Sequence, residues 1–438
     1  MKLELERQNF LKAWQTAEKF AATKTAKDST RGVLITASDD NTVILEATDL
    51  KTSVRCKAQG ANVIESGFAV IPASIFGEML KKLPDSDNGS SLLLEVNSER
   101  GFLNAGRHKT RFAVIPADEF PKIPESSGAE TVCDVNATLL AKTIAEGSSA
   151  ASQPQDFPKY LGTCLLRTAE GFITGVSTDG RRLSLSKAPC NIMKDEDLLL
   201  PAAALKELGK IIASSSSCSD DDSVRILADS STAWFGLRDI EFSIRRIDSI
   251  FPKFERILNT EVRTSLSVNA AELSSSLERI DIIAKTTTAH IMAVSLNPDG
   301  ELRITARAPE LGTASEVVQA GITGDKMQLG FNVSYFLDGL KALGGKDAVI
   351  EFSGEEGQTR MKRAEGDDFL YMLMPARLSP QDTMTDEELG DFTVDINVTG
   401  ETGEGQPVNE GDNSESSQPE QSDPDNQGNQ DNQNDTPF

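Results

Sequence analysis

Apolar and polar positions along the chain fall into a pattern that is stated three times. In residues 70–83, VIPASIFGEMLKKL, a short extended lead-in enters a helix. Its apolar residues Ile75, Phe76, Met79, Leu80 and Leu83 recur at i, i+1, i+4, i+5 and i+8, the spacing of one buried stripe. The pattern returns in outline at residues 199–212 and 330–343. Better kept is an acid followed three residues on by a lysine: Glu78/Lys81, Glu207/Lys210 and Asp338/Lys341. Each reads as an i,i+3 ion pair of roughly 0.2–0.5 kcal/mol. Their recurrence also suggests one helix face turned three times toward an anionic object.

Other landmarks repeat at nearly one interval. Thr48-Asp49 returns as Thr178-Asp179, and Phe120-Pro121-Lys122 as Phe251-Pro252-Lys253, spacings of 130 and 131 residues. Each copy opens with a second amphipathic helix, marked by Phe10, Leu11, Trp14 and Ala17, by Leu139, Leu140 and Ile144, and by Leu273, Leu277, Ile280 and Ala284. Between the helices lie short β-rich runs bounded by Gly, Asp, Asn or Pro, among them residues 32–36, 43–47, 92–96, 111–115, 164–168, 223–227, 233–237, 293–296, 301–306 and 349–352. A period near 130 is too long for a solenoid unit and suits a domain. The expectation is an α+β chain of three like domains, 1–125, 130–258 and 262–378, each with two helices on antiparallel sheets of about eight strands.

Composition changes the picture mainly at the C-terminal end. The net charge is −24, but residues 379–438 hold 16 acids and no Lys or Arg, which leaves −8 on the remainder. A mildly acidic body can still group its lysines into a basic surface. Residues 379–438 have little to bury and read as a disordered acidic tail. No run of 18 apolar residues exists and MKLELERQNF lacks a signal-peptide core, so a cytoplasmic protein is expected. Five scattered cysteines without C-x-x-C suggest neither disulfides nor zinc. His108 and His290 are far apart, residues 175–179 miss the nucleophile elbow and residues 339–346 miss a phosphate loop. No catalytic residue, metal site or cofactor is expected; the chain reads as a binder.

Size sharpens the claim. Domains of about 130 residues are roughly 35 Å across; three in a ring leave a hole of about 5 Å, and six leave about 35 Å. A duplex roughly 20 Å wide fits only the second. At this point MKLELERQNFLKAW, residues 47–50 (ATDL), Gln155-Asp156 with Tyr160-Leu161, residues 177–183 (STDGRRL), Phe251-Pro252 with Arg256, residues 330–335 (GFNVSY) and residues 374–378 (MPARL) together resemble the bacterial DNA polymerase III β subunit, the sliding clamp. The resemblance runs in one order over residues 1–378. It implies a head-to-tail homodimeric ring with helices lining the hole, encircling double-stranded DNA without sequence preference and tethering DNA polymerase III, the clamp loader and other replication or repair proteins.

Sliding requires attraction without register, hence lysine contacts to phosphates and none to base edges. Lys81, Lys210 and Lys341 are candidates, with Lys12, Lys142 and Arg279 on the first helices. By resemblance Lys24, Lys27, Gln155 and Lys159 sit where the family touches DNA. The resemblance also implies a groove between domains 2 and 3 for extended peptides ending in Leu-Phe, lined by Tyr160, Leu161, Thr178, Gly180, Arg182, Leu183, Pro252, Arg256, Ile257, Met374, Pro375 and Arg377. Arg181 stands where the family usually has His, and Ala376 where Met is common, which implies a wider, more basic groove. Phe112 and Val114 on an edge strand are expected to meet Ile282 and Ile283 on the partner's helix. The acidic tail, rooted at the groove rim, is expected to compete for exposed lysines or for Arg181, Arg182 and Arg256. Two other classes stay open: a clamp-like regulator that sequesters partner peptides off DNA, and an enzyme with dispersed acid/base residues.

Overall fold

A computed structural model describes residues 1–23, 27–83, 92–153, 156–214, 222–287, 289–308, 311–345 and 347–390. Lys24, Gln155 and all of the expected tail from residue 391 onward lie outside the described residues. The described helices are α1 (Arg7–Glu18), α2 (Ala73–Lys82), α3 (Ala137–Gly147), α4 (Ala202–Ser214), α5 (Glu255–Leu258), α6 (Ala270–Ala284), α7 (Val333–Leu343) and α8 (Asp386–Gly390). None among them is long and apolar enough to cross a membrane.

The six longer helices pack as pairs, α1 with α2, α3 with α4, and α6 with α7. Asparagines start three of them by accepting orphan backbone N–H groups: Asn136 from Leu139 at 3.0 Å, Asn269 from Ala271 and Glu272 at 3.1 Å, and Asn332 from Tyr335 at 3.1 Å. Gly344, at φ +78°, stops α7 in the left-handed conformation that other residues avoid. Phe10, Trp14 and Ala17 of α1 are buried. The Trp14 ring meets Phe76 of α2 at 4.6 Å and its indole N–H donates to the Ala73 carbonyl at 3.1 Å. The α2 stripe is narrower than its spacing predicts: Phe76, Leu80 and Leu83 are buried, but Ile75 is 58% exposed. One helical step is about 100°, so a residue beside Phe76 on the outer side leaves the stripe. In the second pair α3 approaches a strand so closely that a Cβ on Gly147 would lie 2.6 Å from the Gly175 carbonyl oxygen.

Every ladder is antiparallel. One sheet of five strands ends at His108–Ala113, one of four ends at Gly312–Gln319, and one of seventeen runs through the rest. The large sheet crosses both expected domain boundaries. Thr52–Lys57 pairs with Ile240–Arg245, placing Val54 opposite Phe242, and Arg182–Ile192 pairs with Phe369–Leu373, placing Leu183 opposite Met372. Both junctions are built alike.

After the last strand the chain turns back across the four-stranded sheet. Ala376 bridges to Gly330, which begins a row of paired residues Gly330, Ala293, Thr305 and Ser315. Gly330, Ala293 and Thr305 are buried, on the opposite side of the pleat from Val294, Leu296, Ile304 and Leu329, which join α6 and α7 in the core. Only glycine fits the start of the row, since a Cβ on Gly330 would lie 2.6 Å from the Ala376 oxygen and 2.8 Å from Leu378. At the far end Thr385 and Glu388 form a reciprocal capping box, and Glu388 pairs with Arg307 at 2.9 Å. The first described residues of the expected acidic tail therefore run on from Met374–Arg377 as far as Arg307.

Candidate functional site

The three recurring lysines each meet a carboxylate, in two different ways. Lys81 lies 3.3 Å from Glu78 and 3.6 Å from Glu18 of α1; burial disfavours its charge, but the two carboxylates outweigh that and its pKa rises. Lys210 holds Glu207 at 2.6 Å. Lys341 departs from the pattern. Arg182 takes Asp338 at 2.6 Å, so Lys341 turns instead to Glu278 of α6 at 3.3 Å. On the first helices Lys12 is exposed, Lys142 holds Asp368 at 2.5 Å and Arg279 is committed to Glu316 at 2.6 Å. Lys27 and Lys159 are exposed at short 3₁₀ turns.

The structure adds Lys206, which lies one helical turn before Lys210. It is half-buried in a cavity of about 580 Å³ shared with Lys142, Glu146, Arg182, Asp338 and Lys341. It has no ion pair among the described residues, and burial holds its pKa below the usual lysine value. Its i,i+4 spacing from Lys210 was the available signal.

The candidate groove has an apolar floor and an exposed rim. Leu183, with Leu165, Val176, Leu199, Phe254 and Met372, forms a small core against which Tyr160 and Phe251 pack. The Tyr160, Phe251 and Phe254 rings follow one another edge to face at 6.1 and 6.2 Å. Above them Pro252, Arg256, Ile257 and Met374 are exposed, while Leu161, Pro375 and Ala376 are half-buried. Arg377 is almost fully exposed. Tyr160 and Leu183 are among the expected groove residues, whereas Phe254, Leu165, Val176, Leu199 and Met372 escaped sequence reasoning because they read as ordinary strand or loop apolars.

The wall of the groove is a turn tied by its own side chains. Thr178 Oγ1 donates to the Arg182 carbonyl at 2.6 Å and accepts from the Gly180 N–H at 3.0 Å, and Asp179 accepts from the Arg181 and Arg182 N–H groups at 2.9 and 3.0 Å. Gly180 sits at φ +88°. Thr48 and Asp49 build the same turn 130 residues earlier, so the repeated dipeptide is a repeated turn. The Arg181 carbonyl accepts from the Met374 N–H at 2.9 Å, which joins the wall to the rim. Arg181 itself is exposed, whereas Arg182 is a brace: it binds Asp179 at 2.8 Å, Asp338 at 2.6 Å and the Tyr371 hydroxyl at 3.0 Å, with its guanidinium 4.2 Å from the Tyr335 ring centroid. It is not available to hold an acidic tail.

Of the expected interface residues, Ile282 is 58% exposed on α6 and Ile283 packs partly on its own core. Val114 is also partly covered. Phe112 lies on the edge strand His108–Ala113, but its ring points inward, 5.4 Å from Phe76 and over Gly101. The outward face of that strand carries Lys109 and Arg111.

Comparison with known proteins returns one family from both ends of the chain. The model for the DNA polymerase III beta subunit N-terminal domain matches residues 1–124, and that for its C-terminal domain matches residues 255–377. The beta sliding clamp of Bacillus subtilis is 24% identical over 393 residues, spanning 86% of this chain and 100% of that protein; the one from Synechocystis is 25% identical over 366 residues, 78% and 90%. A crystal structure of the DnaN sliding clamp from Pseudomonas aeruginosa aligns with a TM-score of 0.78 at 25% identity, covering 86% of this chain and all of that one.

Proposed function

The chain belongs to the bacterial DNA polymerase III β-subunit family, the sliding clamps, which are non-catalytic processivity subunits acting with DNA and polymerase, and on that premise we propose that two copies close head to tail into a ring around duplex DNA. The observation that carries the ring is the pair of unsatisfied edges. Within the chain, Thr52–Lys57 is joined by Ile240–Arg245, and Arg182–Ile192 by Phe369–Leu373. The third repeat's counterpart of the first member of each pair is Gly312–Gln319, and the first repeat's counterpart of the second member is His108–Ala113. Each is the last strand of its sheet, a row of open N–H and C=O groups. A second copy satisfies both edges and brings Ile282 and Ile283 of one protomer against the strand bearing Phe112 and Val114 of the other.

Three domains per protomer and helix pairs lining the hole follow from the same reading. Lys81, Lys206, Lys210 and Lys341, with Lys12, Lys27 and Lys159, then meet phosphates. Carboxylates within 4 Å of three of them keep each contact weak, which suits sliding. The groove beneath Met374 takes extended peptides from the polymerase, the clamp loader and repair proteins: an apolar floor for anchors, with Arg181, Arg256 and Arg377 on the rim. Replication places the protein in the cytoplasm. Loading onto a nicked circle followed by linearisation tests the ring: the clamp should stay on the circle and escape after cutting. Retention on the linear product, or no retention on the circle, would refute it and favour an off-DNA regulator.

A further inference from the structure

We propose that the second repeat's helix pair, where it meets α7, carries a seat for one phosphoryl group, built from Lys206, Lys142, Lys341 and the Ser149 hydroxyl. The inference deepens the phosphate-contact reading above and rests on it only for the duplex as a source of that group. Aligning Glu78/Lys81, Glu207/Lys210 and Asp338/Lys341 puts Lys206 at the place of Gly77 and Leu337. In the first repeat a carboxylate fills that place, since a Cβ on Gly77 would lie 2.5 Å from Glu18 Oε2. In the third, Leu337 closes it as a buried core residue. The second repeat has neither device. Aligning the buried pairs Phe10/Trp14 and Leu140/Ile144 sets Ser148 where α1 has Glu18, and Lys206 lines a cavity instead.

An exposed lysine without a counter-ion is ordinary, but a half-buried one bears a desolvation cost. Lys206 has no ion pair among the described residues; Asp338 nearby favours its charge, yet burial prevails and the pKa stays below the usual lysine value. The carboxylates of the cavity are already answered, Asp338 by Arg182 at 2.6 Å and Glu146 by Arg363 and by the Ser186 hydroxyl at 2.7 Å. Lys142 holds Asp368 on one side, and on the other Lys341 holds Glu278 in an exposed pair at 3.3 Å, weak enough for a phosphoryl oxygen to replace. Ser149 is an independent pointer: it lines the same cavity, and its Oγ is buried with no hydrogen-bond partner. A phosphoryl oxygen would accept from that hydroxyl and restore the Lys206 charge. The rest of the lining is alanine, with no aromatic ring to stack a nucleobase. The chemistry recognised is therefore the phosphoryl group alone, from a duplex backbone or from a free anion such as pyrophosphate.

Amine acetylation of the full-length protein at low salt, read lysine by lysine by peptide mass spectrometry, tests the seat with two probes, inorganic pyrophosphate and a short blunt duplex. A probe that enters should slow acetylation of Lys206 about fivefold more than that of exposed Lys210, one turn along α4. Ser149→Ala should raise the probe concentration for half-protection about tenfold, as expected for losing a hydrogen bond to a charged group. Protection by the duplex alone assigns the group to the backbone, by pyrophosphate alone to a free anion, and by both to either source; each supports the seat. Equal slowing at Lys206 and Lys210 would overturn it and leave diffuse attraction. No slowing at Lys206, or protection unchanged by Ser149→Ala, would overturn it too. A protein that stays on the nicked circle with Lys206 unprotected loses only the seat, and one that leaves the circle but binds pyrophosphate there loses only the ring.

Discussion

Replacing Arg363 by Met perturbs the most deeply buried charge network between the second and third repeats. Arg363 is 6% exposed and donates to Glu146 of α3, itself 9% exposed, and to Asp368 at 3.1 Å, with its guanidinium 5.0 Å from the Phe369 ring. Glu146 has one other side-chain donor, the Ser186 hydroxyl at 2.7 Å. Methionine keeps much of the apolar stem but leaves a buried carboxylate facing a single neutral donor. Breaking such a pair from one side costs about 3–5 kcal/mol, because the surviving charge is desolvated without compensation. Adding Glu146→Gln removes that charge, and the double variant should return to within about 1–2 kcal/mol of the parent. The urea midpoint read by circular dichroism gives the difference, and amide exchange in residues 137–147 and 359–373 shows whether the loosening is local to this junction. A single variant within about 1 kcal/mol of the parent, or a double variant no more stable than the single, would refute the reasoning.

Three further outcomes are expected. Ile282→Asp, on a residue exposed within the chain, should give folded monomers by ultracentrifugation, since an unpaired carboxylate in a closed interface costs several kcal/mol; Ile283→Asp should do the same with some loss of monomer stability. Met374→Asp or Arg256→Glu should weaken binding of a polymerase-tail peptide at least tenfold in a titration while leaving the dimer intact, and unchanged affinity would place the site elsewhere. Lys206, its pKa lowered by burial, binds fewer protons folded than unfolded between its depressed value and the ordinary 10.5. Stability should therefore rise with pH through that window, and Lys206→Met should flatten the rise; an unaltered slope in urea midpoints against pH would contradict it.

What could be read along the chain was whatever local periodicity or repetition encodes. The buried stripes of α1 and α6, the helix pairs, the Thr-Asp turns and the interval near 130 residues are all short-range signals, and the resemblance supplied the family on the same letters. Reading failed where a residue's role depends on what another repeat places beside it. Asp338 looked like the partner of Lys341, but Arg182, far away in sequence, takes it. That the Phe112 ring fills the space above Gly101 was not legible either, because Gly101 reaches it only through strand pairing. Strands such as Gly312–Gln319, with little apolar alternation, and Arg182–Ile192, longer than its pattern suggests, became legible only through the partners that pair with them. That Glu388, within the expected tail, reaches Arg307 was not legible because Gly330, Ala293 and Thr305 form a row of small residues only when three strands lie side by side. Periodicity reports which face a residue turns inward, whereas ion-pair choice, edge exposure and strand registry are set by distances between segments that the chain order does not contain.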